Sequence, residues 1–164
     1  MKIVTVDRLK ELFSYNPETG LFTRIVRTSN NSKIGDIVGT KNTTGYLQIS
    51  IDWRLYSVAR LAWLYMTGKW PEEEIDHING IRNDNRFSNL READRTLNNQ
   101  NRRNAGEINK LGFLGVSLHK RDQKITAQIK INGKTKWLGY YKTPELAHAA
   151  YLSAKRQYHE GCTI

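Results

Sequence analysis

The sequence predicts an α+β protein: an N-terminal small antiparallel sheet with a helix, a hairpin–loop–helix segment, and a three-stranded antiparallel sheet packed on one helix. Short runs that alternate apolar and polar residues, as over residues 46–51, are typical of half-buried strands. A length of 164 residues suits one domain or two small modules. Charge is uneven as well: residues 113–164 carry 9 basic and 3 acidic side chains, so this third holds +6 of the net +10. This indicates a separate basic module at the C-terminal end.

The N-terminal elements follow from periodicity and turn signals. We predict a short helix, a turn at an Asn-Pro-Glu-Thr-Gly sequence, two strands, and a second helix that ends before Gly68 and Pro71. These elements occupy, in order, residues 7–13, 16–20, 21–27, 46–51 and 57–66. Trp53 lies at the tip of a predicted hairpin, where its ring either packs on the turn or stacks on a sugar or base.

The middle segment, residues 74–103, is rich in Asp, His and Asn but contains regularly placed apolar residues. Asn79-Gly80 is a tight-turn signal. The apolar residues therefore allow a small hairpin, then a loop, then a polar helix over residues 94–103. This order would bring Asp76 and His77, on the first strand, close to the helix that holds Asn98.

The C-terminal elements follow a predicted linker over residues 104–112. The strands are expected at residues 113–119, 124–131 and 134–140. Asn132-Gly133 is a hairpin signal between the last two strands. Thr143 as the N-cap and Pro144 at the first helical position open the final helix, with an apolar stripe of five residues: Leu146, Ala147, Ala150, Tyr151 and Ala154.

Composition excludes several classes of protein. One cysteine, Cys162, excludes a disulfide framework and a multi-cysteine zinc site. No apolar run approaches 18 residues, so we expect a cytoplasmic protein that spans no membrane. A pI near 9.8 favours a polyanionic partner, either nucleic acid or an anionic membrane surface. The membrane is the weaker option, since no helix has a long basic polar face.

The Asp76, His77 and Asn98 side chains suit phosphodiester hydrolysis. A carboxylate and an amide oxygen are hard ligands, which suit Mg²⁺ or Mn²⁺ rather than zinc. A neutral histidine beside them can take a proton from water near pH 7. A base for the nucleophile and a cation for the phosphate are the minimum for this reaction.

Residues 74–103 resemble the HNH (ββα-metal) nuclease motif, in the subtype of phage homing endonucleases whose final histidine is replaced by asparagine. By this resemblance His77 is the general base, and Asp76 and Asn98 hold one Mg²⁺ or Mn²⁺ ion per active site. Asn89 braces the hairpin loop and orients His77. The expected substrate is double-stranded DNA, cut by a monomer or a DNA-induced dimer. The resemblance rests on these residues: Asp76-His77, Asn79-Gly80, Asp84-Asn85-Arg86, Ser88-Asn89-Leu90-Arg91, Asn98 and Asn101. Asn85 is interpreted as a loop former.

The C-terminal module resembles the plant ethylene-response-factor (APETALA-two) DNA-binding domain. Matching sequences include Gly112-Phe113, Gly115-Val116, Leu138-Gly139-Tyr140-Tyr141 and Thr143-Pro144-Glu145. The two resemblances imply an HNH nuclease domain over residues 1–103 and a DNA-binding domain over residues 113–164. The expected DNA contacts are Arg60, Arg86, Arg102, Arg103, Lys120, Arg121, Lys124, Lys130, Lys134, Lys136 and Trp137. The alternative is a sequence-specific DNA-binding regulator in which the HNH segment is an inactive relic.

Overall fold

A computed structural model describes most of the chain: residues 3–103, 105, 109–119 and 121–163. It confirms the α+β class, with small antiparallel sheets and four α-helices among the described residues. The chain forms two compact units, Met1–Asp94 and Arg95–Ile164, called here the first and second units.

The first unit has two α-helices, α1 (Val6–Leu12) and α2 (Val58–Thr67). Its strands are β1 (Phe13–Asn16), β2 (Leu21–Arg24), β3 (Ile37–Val38), β4 (Thr40–Lys41), β5 (Leu47–Ile51), β6 (Arg54–Ser57), β7 (Glu74–His77) and β8 (Leu90–Ala93). They form three antiparallel sheets, in the orders β1–β2–β3, β4–β5–β6 and β7–β8. Strand β2 ends at Arg24, so the strand predicted over residues 21–27 is shorter than expected.

The core of the first unit forms around α2. Apolar residues at helical spacing, including Val58, Leu61 and Leu64, bury one face of this helix in a cluster that also contains Phe13 and Phe22. Trp63 and Trp70 pack against the same core. The helix ends at Gly68, whose φ of +75° is the left-handed conformation that glycine adopts at low cost. The stop signal at Gly68 is thus confirmed.

The second unit contains α3 (Arg95–Asn101), the strands β9 (Val116–His119), β10 (Lys124–Ile131) and β11 (Lys134–Tyr141), and the helix α4 (Pro144–Tyr158). Its sheet is antiparallel, with β10 in the centre. Helix α3, which the sequence assigned to the nuclease domain, is grouped with this unit. The predicted linker over residues 104–112 lies partly outside the described residues, and the predicted domain boundaries stay a prediction.

Two local signals in the second unit are confirmed. Asn132 and Gly133 both have positive φ, +48° and +79°, as the tight turn between β10 and β11 requires. Thr143 caps α4 by accepting a hydrogen bond from the Leu146 N–H, with Pro144 in the first turn. The apolar stripe is only partly right, because Leu146 is exposed and Lys155 is buried instead.

Two interpretations of turns in the first unit were wrong. Packing of Trp53 on its turn is excluded, because the side chain is 99% exposed while its backbone has a φ of +66°. Asn79-Gly80 forms a turn, closed by the Gly80 N–H and the His77 carbonyl, but it does not join the two strands directly. The loop lies inside the β7–β8 hairpin, over residues 78–89, rather than after it.

Candidate functional site

The β7–β8 hairpin carries the two residues predicted to do the chemistry. Asp76 and His77 end strand β7, and they pair in register with Arg91 and Leu90 of β8. Both residues are only 5% exposed. Burial of two ionisable groups side by side is costly unless partners satisfy them. Such an arrangement is more typical of a functional site than of a surface turn.

Arg91 is the partner of Asp76. Its Nε and Nη2 atoms donate to Asp76 Oδ2 over 3.0 and 2.8 Å. The two residues face each other across the hairpin, so the pairing register sets this contact. The fork of the guanidinium therefore holds the carboxylate in one orientation and compensates part of the cost of its burial.

Asn89 closes the long loop of the hairpin from inside. Its Oδ1 accepts the Asn79 N–H over 2.9 Å, and its Nδ2 donates to the Asp84 carbonyl over 2.7 Å. Its own carbonyl accepts the Ile78 N–H over 2.9 Å. One buried side chain thus ties both halves of the loop together, next to His77. The catalytic assignment of Asn89 stays a prediction.

Asp84 is a second fixed point of the loop. It accepts hydrogen bonds from Asn79 and from the Arg86 guanidinium, the latter over 2.8 and 2.6 Å. These bonds, those from Arg86 first, lower the pKa of Asp84 to about 2. Arg86, a predicted DNA contact, is therefore paired with a carboxylate inside its own loop.

His77 lies between Asn85, which was interpreted from the sequence as a loop former, and Tyr46, which had no predicted role in the site. Its Nε2 is 3.1 Å from Asn85 Oδ1, and its ring centroid is 5.7 Å from that of Tyr46. Burial lowers the pKa of His77 below its ordinary value, against the opposing effects of the Asn85 hydrogen bond and the Asp76 and Asp84 charges. The imidazole is consequently neutral near pH 7 and able to accept a proton.

Tyr46 connects this loop to the β4–β5 turn. The Arg82 guanidinium lies 5.3 Å from the Tyr46 ring centroid, and its Nη1 donates to the Thr44 carbonyl over 2.6 Å. Tyr46 begins the predicted strand over residues 46–51. The alternating pattern of that strand does not predict a contact with His77, which lies 31 positions later. Only its position in a Gly-Tyr pair after a turn could have drawn attention to it.

Gly20 lets the turn after β1 approach the loop closely. Its φ is +73°, and a Cβ atom there would lie 2.4 Å from both the Arg86 nitrogen and the Asn85 carbonyl carbon. We expect Gly20→Ala to lower the free energy of unfolding by about 2 kcal/mol or more, because strain and a backbone clash add. Urea unfolding measures this.

Gly35→Ala is the matched control for Gly20→Ala. Gly35 also has a positive φ, +91°, but no atom lies within 4 Å of an added Cβ. Its substitution should cost only the conformational strain, about 1 kcal/mol. Equal losses for the two variants would show that the close approach contributes nothing.

Asn98, the second predicted metal ligand, lies on α3 of the second unit and is half-buried. The C-terminal residues of the same unit hold this helix: Gln100 accepts the Gly161 N–H over 3.0 Å, and Asn101 accepts the Thr163 hydroxyl over 2.6 Å. The role of Asn98 as a ligand stays a prediction.

Three of the predicted DNA-contacting arginines have partners within their own unit. Arg60 donates to the carbonyls of Pro71 and Glu73, so it fastens the segment that precedes β7. Arg103 donates to the carbonyl and hydroxyl of Thr163. Arg86 pairs with Asp84, as described above. Arg102 is exposed and contributes its carbonyl to Lys155.

The sheet of the second unit has two different faces. Ala127 and Ile129 pack on α4. The opposite surface, called here the open face, carries Lys124, Gln128, Lys130, Trp137 and Tyr140. Trp137 and Tyr140 are both exposed, with ring centroids 5.2 Å apart, and Lys124 lies 5.1 Å from the Tyr140 ring centroid. Two cations and two aromatic rings thus share one surface.

Two other predicted DNA contacts of this unit, Lys134 and Lys136, do not lie on the open face. Lys136 pairs in register with the buried Ile129, which places it on the α4 side, and its Nζ donates to the Tyr158 hydroxyl over 2.9 Å. Lys134 pairs with Ile131 at the end of the ladder. Arg121 lies in the exposed turn between β9 and β10. Lys120 lies outside the described residues.

Residues 56–104 match the family model of the HNH endonuclease, which covers less than a third of the chain. The match contains β7, β8 and all four predicted site residues: Asp76, His77, Asn89 and Asn98. No curated protein and no solved structure matches the chain. No helix among the described residues is long and apolar enough to cross a membrane.

Proposed function

We propose that this protein is a metal-dependent DNA endonuclease of the phage homing type, whose HNH centre is targeted by the C-terminal DNA-binding unit. The observation that carries the proposal is the buried Asp76–His77 pair inside the segment that matches the HNH endonuclease family. That family implies DNA as substrate and a divalent metal ion.

The chemistry assigned to His77 is proton removal from the attacking water. The lowered pKa favours this role, since a base must be unprotonated at the working pH. Asn89 keeps the loop closed beside it. The activated water then attacks phosphorus and breaks one phosphodiester bond. Because each chain has one His77 centre, one chain cuts one strand.

The donor set fits a hard divalent cation. Among the described residues, no group of three or more His, Cys, Asp and Glu side chains could hold a metal ion by itself. The proposed ligands, the Asp76 carboxylate and the Asn98 amide, together with phosphate and water, offer the oxygen donors that Mg²⁺ and Mn²⁺ prefer. A bound cation supplies charge stabilisation for the phosphate and the leaving oxygen.

The alternative function is a DNA-binding regulator with an inactive HNH relic. An inactive relic would be expected to have lost part of the closed loop around its buried, neutral histidine. The Asn89 bonds to Asn79 and Asp84 are intact, and Asp76 remains paired and buried. These observations favour an active nuclease over the regulator.

A plasmid assay separates the two functions. Supercoiled plasmid that contains candidate target DNA is incubated with the full chain and Mg²⁺ or Mn²⁺, with and without EDTA. Metal-dependent conversion to open-circular or linear DNA supports the nuclease. Tight binding of the plasmid with no conversion in either metal supports the regulator.

The open face is the surface best suited to contact DNA in the second unit. Lysines bind phosphates and release counterions, while exposed rings can contact bases or sugars. A three-stranded sheet of this size can enter the major groove, as the APETALA-two resemblance implies. The alternative is that the second unit is a basic domain that makes no contact with a DNA groove.

We expect the double variant Lys124→Gln/Lys130→Gln to lower the salt dependence of DNA binding. Each lost phosphate contact takes about one unit off the slope of log affinity against log salt, so the slope should fall by about two units. Binding titrations at several salt concentrations measure the slope. Lys134→Gln/Lys136→Gln removes equal charge from the α4 side and should change it less. Equal effects of the two pairs would exclude the open face as the preferred DNA surface.

A further inference from the structure

Asn85 is among the most deeply buried polar side chains of the first unit, with 2% exposure. Its amide has a defined orientation, because its Nδ2 donates to the Asn83 carbonyl over 3.2 Å. That bond turns Oδ1 toward His77, 3.1 Å from Nε2. An amide oxygen can only accept a hydrogen bond.

The orientation of Asn85 therefore determines which nitrogen of His77 carries the proton. An acceptor at Nε2 requires a proton on Nε2, and the neutral imidazole then has its lone pair on Nδ1. If the Asn85 amide were rotated, its NH₂ group would face Nε2 and favour the other tautomer. Nδ1 is consequently the atom that the loop prepares as a base.

The position of Asn85 is in turn set by the β1–β2 hairpin. The Tyr15 hydroxyl donates to the Asn85 carbonyl over 2.7 Å, across 70 positions of sequence, and this contact is buried. The Phe87 N–H donates to the Pro17 carbonyl over 3.0 Å. Gly20 packs against the peptide between Asn85 and Arg86. Three contacts from one hairpin thus hold the segment on both sides of Asn85.

We propose that Asn85, held by Tyr15 and the β1–β2 hairpin, is a positioning residue that selects the Nε2–H tautomer of His77 and presents Nδ1 as the general base. This inference rests on the proposed nuclease function. It extends the active site to a hairpin that lies outside residues 56–104, the segment that matches the HNH endonuclease family. Asn85 is therefore more than a loop former.

The first experiment reads the tautomer without using activity. Full-length protein labelled with ¹⁵N in histidine is studied by NMR in the absence of metal, at a pH where His77 is neutral, and the His77→Ala spectrum identifies its signals. We expect the Nε2–H form in the wild type and a mixture of tautomers in Asn85→Ala. A predominantly Nδ1–H form in the wild type, or an unchanged spectrum in a folded Asn85→Ala variant, would overturn the proposal.

The second experiment reads catalysis. Asn85→Ala should lower kcat by about 10–100-fold with little change in KM, the range seen when the partner that orients a functional imidazole is removed. Asn85→Asp keeps an oxygen acceptor at Nε2, so it should recover most of the lost kcat and restore the wild-type tautomer. If Asn85→Ala does not fold, the Asn85→Asp and Tyr15→Phe variants carry the test.

Tyr15→Phe tests the contribution of the hairpin. Removing the hydroxyl frees the Asn85 carbonyl, so kcat should fall by a few-fold and the second tautomer should become visible. Tyr56→Phe is the matched control, since the Tyr56 hydroxyl bonds the Val4 N–H in the same unit without touching the loop. Equal kcat losses in both variants would mean a general effect of stability and would contradict positioning by Tyr15.

The two proposals fail differently. A wild-type protein that never cleaves DNA contradicts the nuclease function, yet the NMR spectrum can still show the tautomer set by Asn85. A protein that cleaves DNA through His77 while Asn85→Ala has wild-type kcat contradicts only the positioning role.

Discussion

His77→Ala should lower the rate of DNA cleavage by about 10²–10⁴-fold, the usual loss when a general base is removed. DNA affinity should stay close to that of the wild type, because a buried neutral imidazole adds little to phosphate binding. Single-turnover cleavage of a labelled duplex measures the first quantity, and a gel-shift titration in EDTA measures the second.

The control for His77→Ala is a histidine of the second unit. His148 packs its ring on Phe113 and Tyr151, with its Nδ1 3.0 Å from the Leu114 carbonyl, far in sequence from the HNH segment. His148→Gln should leave the cleavage rate within a few-fold of wild type in folded protein. Near-normal cleavage by His77→Ala would disprove the assignment of the base.

Asp76→Asn should produce the second large effect, a loss of about 100-fold or more at fixed metal concentration. The substitution retains volume and an oxygen that can accept from Arg91, but it removes the charge that is proposed to attract the cation. Loss of several kcal/mol of charge stabilisation corresponds to at least two powers of ten in rate. Cleavage should also require a higher concentration of Mg²⁺ or Mn²⁺, measured by titration with each metal.

Asp52→Asn is the matched control for Asp76→Asn. Asp52 also pairs with an arginine, Arg8, over 3.0 Å, but this ion pair lies on the surface beside the β5–β6 turn. Breaking an exposed pair costs little stability. The same change of one charge there should leave the metal requirement unaltered. A similar shift in both variants would mean that Asp76 acts only through net charge, and it would contradict metal binding by Asp76.

Local signals explain why most elements could be predicted. The Asn132-Gly133 turn, the Thr143 cap and the Gly68 stop depend on neighbours only a few positions away, and each was found where expected. The β7–β8 hairpin was also expected, but the position of its loop was not. A turn signal such as Asn79-Gly80 specifies local backbone conformation, and it cannot tell how many residues follow before the chain pairs again.

Contacts distant in sequence explain what the sequence did not reveal about the site. The loop contains Asn79, Asn83, Asn85 and Asn89, four chemically identical side chains. Asn89 could be selected by its spacing from His77, and Asn85 could not. The role of Asn85 depends on Tyr15, 70 positions earlier, and on a rotamer that only packing selects.

The sequence by itself determined the α+β class, the basic C-terminal region and the candidate set of Asp76, His77 and Asn89, because periodicity, charge and spacing are properties of the chain alone. The tertiary structure decided which groups surround each side chain. Burial lowers the pKa of His77, the pairing of Lys136 with Ile129 directs that lysine away from the open face, and the turn leaves Trp53 exposed. Each of these outcomes depends on strand register and burial, which arise only when segments far apart in the chain pack together.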